Sequence, residues 1–135
     1  LKSSTWFIPP EIYNGSNEMK KGWLKAFFDD ESHVPKDRNR IELSTINKKG
    51  MEQVKSLLND LGIVCKLTGP YDNNKTNPNA KPFYRIRIYG EYLKKFAETI
   101  ELSHPKKIQR LSQIIKKISG DAGTAQDKAP TSLPI

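Results

Sequence analysis

The chain has 135 residues, 36% of them hydrophobic and 28% charged, with a formal net charge of +8 at pH 7 and a pI near 9.6. This length and composition are typical of a globular domain with its own core, and no apolar run is long enough to cross a bilayer. The excess of basic residues favours a polyanionic partner. Nucleic acid is favoured over a membrane surface as that partner, because no basic amphipathic surface helix stands out.

Three features bear on where the protein works and on how much of it is present. No charged-then-apolar leader is visible, which predicts an intracellular protein, cytoplasmic in a prokaryote or organellar. Cys65 is the lone cysteine and lies in an apolar stretch, which predicts a small core residue in a reducing compartment. The chain begins at Leu1 rather than Met, so we expect a segment upstream.

Residues 1–17 are predicted to form an N-terminal arm, in which Pro9 and Pro10 prevent a helix. Ser16 or Asn17 can cap a helix that runs to about Asp29. This helix has a broad apolar stripe and a separate face with two small residues four apart, a spacing that allows another backbone to approach closely. The stripe contains Trp23, Leu24, Phe27 and Phe28, and the small residues are Gly22 and Ala26.

Three acids crowd the C-terminal end of this helix, namely Asp29, Asp30 and Glu31. A helix C-terminus carries partial negative charge, so three carboxylates there repel one another and the helix end. A bound cation would relieve the repulsion. The alternative is an acidic turn that water solvates.

A β-hairpin and a second helix are predicted next. Residues 32–35 and 38–46 form the two strands, joined by a turn at Lys36 and Asp37. Asn47 then caps an amphipathic helix that Gly62 ends.

The second half of the chain repeats the strand pattern and ends in helices. Residues 63–68 are predicted as a strand ended by Gly69-Pro70, residues 71–82 as a mobile loop, and residues 83–89 as a strand of regular alternation. Two helices follow, at 91–101 and 105–118, and residues 119–135 are predicted to be a flexible tail. The predicted domain is therefore 18–118.

This order, αββαββα with a further helix, predicts an α+β fold. Four antiparallel strands form one sheet with helices on one face. The other face would present side chains that are almost all of one sign, which costs stability unless an anion neutralises them. Arginines there can contact guanine edges, and lysines and hydroxyls can contact phosphates. The predicted nucleic-acid-binding residues are Arg38, Arg40, Lys66, Arg85, Arg87 and Tyr89; Glu42 either accepts from cytosine or pairs with a neighbouring arginine.

The last helix carries a second basic cluster with no acid between its members. Its basic residues either contact phosphates or form a solvated surface. They are Lys106, Lys107, Arg110, Lys116 and Lys117.

The stretch Leu24-Lys-Ala-Phe-Phe-Asp-Asp-Glu-Ser32 resembles the motif that names the LAGLIDADG homing endonucleases, in the variant with two aromatics before the acids. The predicted element order also matches one half of such a protein. The resemblance implies that Glu31 is the ligand of a catalytic Mg²⁺ or Mn²⁺, with the Asp30 carbonyl beside it. It also implies that the Gly22/Ala26 face packs against a second motif helix, in a homodimer or against a second half carried upstream. Lys106 and Lys107 are the candidates for the basic residue that stabilises the reacting phosphate.

Three functions follow from these patterns. The first, which the resemblance implies, is a site-specific, metal-dependent endonuclease of double-stranded DNA that works as a dimer or pseudo-dimer. The second is a DNA- or RNA-binding regulator or splicing maturase on the same fold without the chemistry. The third is a small module whose basic face contacts an acidic protein.

Overall fold

The computed structural model describes residues 4–72 and 78–125, and for residues 121–125 it describes the backbone only. Its elements follow the predicted order, with one short helix added at the start. In chain order they are α1 (Pro10–Tyr13), α2 (Asn17–Glu31), β1 (Ser32–His33), β2 (Arg40–Thr45), α3 (Lys48–Asp60), β3 (Lys66–Tyr71), β4 (Phe83–Tyr89), α4 (Gly90–Ile100) and α5 (Pro105–Ala125).

The four strands form one antiparallel sheet in the order β1-β2-β4-β3, which confirms the predicted α+β fold. One face of the sheet supplies apolar side chains to the core, because alternate residues of a strand point to opposite faces. The helices cover this face with their own buried side chains. From the sheet come Ile41, Leu43, Ile86 and Ile88, and from the helices Leu24, Phe28, Val54, Leu58, Leu93 and Phe96, all fully buried.

Local capping explains where two of the helices begin. The Ser16 hydroxyl accepts a hydrogen bond from the Met19 N–H at 3.2 Å, and the Asn47 side chain accepts one from the Gly50 N–H at 3.0 Å. The cap at Asn47 confirms the prediction, and of the two candidates for α2, Ser16 and Asn17, the cap is Ser16. Gly62 follows α3 at a φ of 80°, a conformation that favours glycine, as expected for its predicted stop.

The N-terminal arm was wrongly predicted to lack a helix, because α1 begins at Pro10. Proline is tolerated at the first helical position, where its missing N–H has no partner to lose. The arm is also held to the domain. The Ile8 N–H donates to the Gln53 side chain at 2.8 Å, and the Trp6 ring centroid lies 5.3 Å from that of Phe27.

Several predicted boundaries were wrong. Helix α2 continues to Glu31, so the acids lie in its last turn, and α5 continues to Ala125, through the first residues of the predicted tail. The hairpin strands are shorter than predicted, while β3 begins later and passes through Gly69-Pro70 to Tyr71, with a register shift after Thr68. The predicted mobile loop includes residues 73–77 and the predicted tail includes 126–135, which lie outside the described residues.

Cys65 is buried in the core, and burial raises the pKa of its thiol to about 11. A thiol with so high a pKa is protonated at neutral pH and is a poor nucleophile. None of the helices in the described part of the chain has both the length and the apolar character that a membrane crossing demands.

Candidate nucleic-acid interface and carboxylate site

The face of the sheet that points away from the core carries polar side chains in cross-strand rows. We call this set the outward face. Strand register places each row side by side, since residues directly opposite one another on paired strands share a face. The first row is His33, Glu42, Arg87 and Lys66, the second is Ser44, Arg85 and Thr68, and the third is Arg40 and Tyr89.

Glu42 is the carboxylate around which the arginines gather. Its carboxylate oxygens lie 2.6 Å from Arg40 Nε, 3.7 Å from Arg87 Nε and 3.9 Å from Arg85 Nε. The side chain of Glu42 is only 14% exposed, so water screens these interactions weakly. One carboxylate cannot neutralise three guanidinium groups, and the outward face keeps an excess of positive charge.

The two arginines of β4 are also held by their neighbours on the sheet. Arg85 Nε donates to the Ser44 hydroxyl at 3.0 Å, and its guanidinium lies 5.3 Å from the ring centroids of both Tyr71 and Phe83. These contacts fix the direction of a planar donor that can form paired hydrogen bonds to a base edge or a phosphate.

Arg87 interacts with a pair of hydroxyl groups on β3. Its Nη1 lies 3.4 Å from the Thr68 hydroxyl and 3.5 Å from the Tyr71 hydroxyl, and these two oxygens are 2.7 Å apart. Hydrogen bonds with Thr68 and then Arg87 lower the pKa of Tyr71, and the bond with Tyr71 raises the pKa of Arg87. Within the described residues the buried Arg87 Nε has no hydrogen-bond partner.

Most of the predicted nucleic-acid-binding residues lie together on the outward face, but one does not. Arg40, Lys66, Arg85, Arg87 and Tyr89 are on β2, β3 and β4, and Tyr89 is 40% exposed. Arg38 lies in the loop before β2, because that strand begins two residues later than predicted.

Sequence reasoning missed one residue of the outward face, His33, and one residue that contacts the face, Tyr71. His33 is exposed and pairs with Glu42 across β1 and β2. Tyr71 was assigned to a loop because Gly69-Pro70 was expected to end the strand. Only the β-strand preference of tyrosine could have indicated its position.

At the other end of the site, the three acids of α2 have different surroundings. The Asp29 carboxylate accepts hydrogen bonds from the N–H groups of Ser103 and His104 at 2.8 and 3.0 Å, and these residues directly precede α5. Asp30 is exposed and Glu31 is half-buried. Asp29 is therefore engaged in holding the start of α5.

Lys107 places a positive charge at the end of α2. Its ammonium group donates to the carbonyl oxygens of Phe28 at 3.2 Å and Asp29 at 2.6 Å. Burial lowers the pKa of Lys107, and the negative charges of Asp29, Asp30 and Glu31 oppose that shift. A cation at a helix C-terminus offsets the partial charge of the last carbonyls.

Lys106, the other predicted basic residue, is exposed and lies away from the α2 end. It lines a cavity between the loop at residues 35–39 and α5. The structure thus separates the two neighbouring lysines, and only Lys107 contacts the motif helix.

The face of α2 with the small residues is open. Gly22 and Ala26 are exposed, and apart from its chain neighbours and the backbone of its own helix, none of the described atoms lies within 4 Å of where a Cβ would stand on Gly22. Beside it is a cavity of about 360 Å³ whose lining includes Phe7, Trp23, Ala26 and Asp30. Phe7 is 65% exposed and Met19 is 42% exposed.

The oxygen donors at the end of α2 are the type that Mg²⁺ and Mn²⁺ prefer. The Glu31 carboxylate and the Asp30 carbonyl are oxygen donors of this type on adjacent residues of the last turn. In the described ranges, no group of three or more histidine, cysteine, aspartate or glutamate side chains is placed to hold a metal ion.

Comparison with known families gives a match over more than half of the chain. A model described as "LAGLIDADG-like domain" matches residues 18–101, from the second residue of α2 to just past α4.

Three curated proteins of archaea share this part of the sequence. The replication factor C small subunit of Thermococcus kodakarensis is 31% identical over 117 residues, which are 86% of this chain and 12% of that protein. A probable translation initiation factor IF-2 of Methanocaldococcus jannaschii is 29% identical over 117 residues, again 86% of this chain and 10% of that protein. An uncharacterized protein of M. jannaschii is 36% identical over 96 residues, 67% of this chain and 10% of that protein. The chain thus spans only about a tenth of the length of these relatives, whose names have nothing in common.

Among solved structures, the chain resembles I-DmoI in complex with DNA and Mn. The identity is 22%, the TM-score is 0.54, and the match covers 70% of this chain and 48% of that one. A single-substitution variant of I-DmoI in complex with its target DNA in the presence of Mg matches to the same extent. This likeness establishes the fold.

Proposed function

We propose, from the premise that the chain belongs to the LAGLIDADG-like domain family, that it is one half of a divalent-metal-dependent DNA endonuclease. The observation that carries the proposal is the juxtaposition of a cationic sheet face with a carboxylate helix end. Glu31 ends α2, and two residues later His33 lies in the first row of the outward face. A DNA duplex bound on that face would therefore have a phosphate near the carboxylates.

The outward face supplies the binding. The outward face has three positive charges, from Arg40, Arg85 and Arg87, against the single negative charge of Glu42. A polyanion would neutralise that excess. Neighbouring side chains hold the guanidinium groups of Arg85 and Arg87, which lowers the entropy lost when they bind. The structures of I-DmoI in complex with DNA support the same partner.

The end of α2 supplies the metal ligands. Glu31 and the Asp30 carbonyl would hold Mg²⁺ or Mn²⁺, and such an ion would polarise a bound phosphate and lower the pKa of a bound water. Lys107 fixes the last turn of α2 through its bonds to the Phe28 and Asp29 carbonyls, and so positions Glu31.

A second copy of the motif helix completes the site in this proposal. One chain offers one Glu31, and the open Gly22/Ala26 face allows another helix to come close. The partner is either a second chain or a second half carried upstream.

The proposed endonuclease activity is tested with the Glu31→Gln variant, after the protein has been shown to bind DNA. We expect loss of Mg²⁺- or Mn²⁺-dependent nicking across a library of duplexes, with melting temperature and DNA affinity nearly unchanged. Asp30→Gly is the control, and it should keep or raise activity. Wild-type protein that binds duplexes but never nicks them would instead support a regulator or maturase.

Binding on the outward face is tested with Arg85→Lys and Arg87→Lys together. Lysine keeps the charge but loses the planar fork, so we expect discrimination between target and random duplexes to fall by roughly 10-fold or more. Affinity for random duplexes should change little. Unchanged discrimination would remove the outward face from the proposal.

Assembly is tested with Ala26→Leu, whose larger side chain would hold two motif helices apart. If the chain works as a homodimer, sedimentation should show a shift to monomers. A wild-type chain that stays monomeric at high concentration would favour a second half upstream.

A further inference from the structure

A cavity of about 530 Å³ lies between α5 and the loop at residues 35–39, which joins β1 to β2. Its charged lining consists of Lys36, Lys106, Arg110 and Lys117 with a single acid, Asp37. We call it the basic cavity. It carries a local excess of three positive charges, although residues of opposite sign are abundant elsewhere on the surface.

Among the residues that the structure describes, no carboxylate forms an ion pair with a cation of the basic cavity. Across residues 4–72 and 78–125, no ion pair joins Lys36, Lys106 or Lys117 to a carboxylate. Arg110 is directed by a bond from its Nη1 to the Val34 carbonyl at 3.1 Å, and no ion pair joins it to a carboxylate of the described residues. Like charges held together in this way repel, and an anion in the cavity would relieve the repulsion.

The shape of the cavity indicates the length of that anion. Lys106, Arg110, Gln113 and Lys117 are spaced four, three and four residues apart, so they lie on one face of α5. Eleven residues of helix span about 16 Å. A single phosphate is much shorter than this row, whereas successive phosphates of one DNA strand advance by about 3.4 Å along the duplex axis. The row therefore matches several consecutive phosphates.

The basic cavity adjoins the outward face. Asn39 lines the cavity, and the next residue, Arg40, begins β2 and belongs to the third row of the face. Consecutive Cα atoms are about 3.8 Å apart. A DNA strand that crosses the outward face would thus reach the basic cavity where the DNA passes Arg40.

We propose that the basic cavity is a binding site for the phosphodiester backbone of the nucleic acid, beside the base-reading outward face. The proposal rests on the proposed nucleic-acid binding, but it assigns a different surface and a different task. Contacts here go to phosphates alone, so they would add affinity without sequence preference.

The basic cavity has a matched control on the same helix. Lys116 is next to Lys117, but it lines an apolar groove with Ile108 and Ile115 on another side of α5. A variant with Lys36→Gln and Lys117→Gln is compared with one that carries Lys94→Gln and Lys116→Gln. All four lysines are exposed, so neither pair should disturb folding, and melting temperatures will check this.

The measurement is duplex affinity as a function of salt, on a preferred and a random sequence. The Lys36/Lys117 pair should reduce the slope of log K against log salt by about 2, since each phosphate contact contributes about 0.9. Affinity should fall by roughly 10-fold at physiological salt, equally on both duplexes. The Lys94/Lys116 pair should keep the wild-type slope.

Equal slopes in the two double variants would overturn the proposal, because the loss of any two positive charges would then explain the change in salt dependence. The proposed function is tested separately by Arg85→Lys/Arg87→Lys. If that variant loses discrimination while Lys36→Gln/Lys117→Gln behaves as wild type, the outward face stands and the basic cavity fails. Wild-type protein that binds no duplex at low salt would overturn both.

Discussion

The outward face and the end of α2 both crowd like charges, but they relieve the repulsion by different means. On the face, Glu42 lies among three arginines, and all four side chains belong to paired strands. At the end of α2, relief comes from another helix, since Lys107 and the N–H groups of Ser103 and His104 contact the last turn. The outward face is a network within one sheet, whereas the end of α2 depends on the docking of α5.

This difference predicts which substitutions affect folding. A change at the end of α2 that breaks its link to α5 should lower stability directly, since it loosens two elements at once. A change on the outward face should mainly alter the electrostatics of a sheet that its apolar core already holds together.

The largest effect is expected for Asp29→Ala. It removes a charged acceptor from two N–H groups, at 2.8 and 3.0 Å, and should lower the free energy of unfolding by about 2 kcal/mol. Urea denaturation is the measurement. Asp30→Ala is the control, and because it removes an exposed carboxylate from a helix C-terminus, it should change stability by less than about 0.5 kcal/mol. Equal losses in both variants would mean that Asp29 does not hold α5.

Glu42→Gln should have an intermediate effect that depends on salt. The change leaves three guanidinium groups without their shared carboxylate and removes the charge from the close Arg40 contact, which should cost about 1.5 kcal/mol at low ionic strength. Added salt should reduce the loss only in part, because salt screens largely buried charges less than exposed ones. Glu52→Gln, at an exposed position of α3, is the control and should show neither the loss nor its salt dependence. A loss that salt does not change would contradict the electrostatic account of the face.

Lys107→Met should have the smallest effect, about 1 kcal/mol, because burial of the ammonium group offsets part of its benefit to α2. The pH dependence is more informative. Burial lowers the pKa of Lys107 in the folded protein, so the unfolded chain binds more protons between that pKa and 10.5. Stability of the wild type should therefore rise with pH in that window relative to Lys107→Met. A difference that falls with pH would mean that the ammonium is stabilised rather than desolvated.

Sequence patterns that span only a few residues were sufficient to predict most of the fold. Alternation in residues 83–89 predicted β4 and its two faces, and the capping side chains of Ser16 and Asn47 predicted where two helices begin. The motif in α2 led to the family for the same reason, since it is a continuous stretch of sequence. Such signals are readable because a strand repeats every two residues, and a cap acts on an N–H two or three residues away.

The surroundings of each charged residue were decided by the tertiary structure. Lys107 and Phe28 are 79 residues apart in sequence. The helical period places Lys106 and Lys107 on different faces of α5, but nothing local shows that Lys107 meets the end of α2. The pairing of β2 with β4 brings Arg85 and Arg87 to Glu42, and the packing of α5 beside the β1–β2 loop forms the basic cavity. The sequence by itself determined the fold class and the positions of most elements. Only the tertiary structure decided which acid holds α5, which lysine caps α2 and which cations face one another, because these contacts join segments that no local pattern connects.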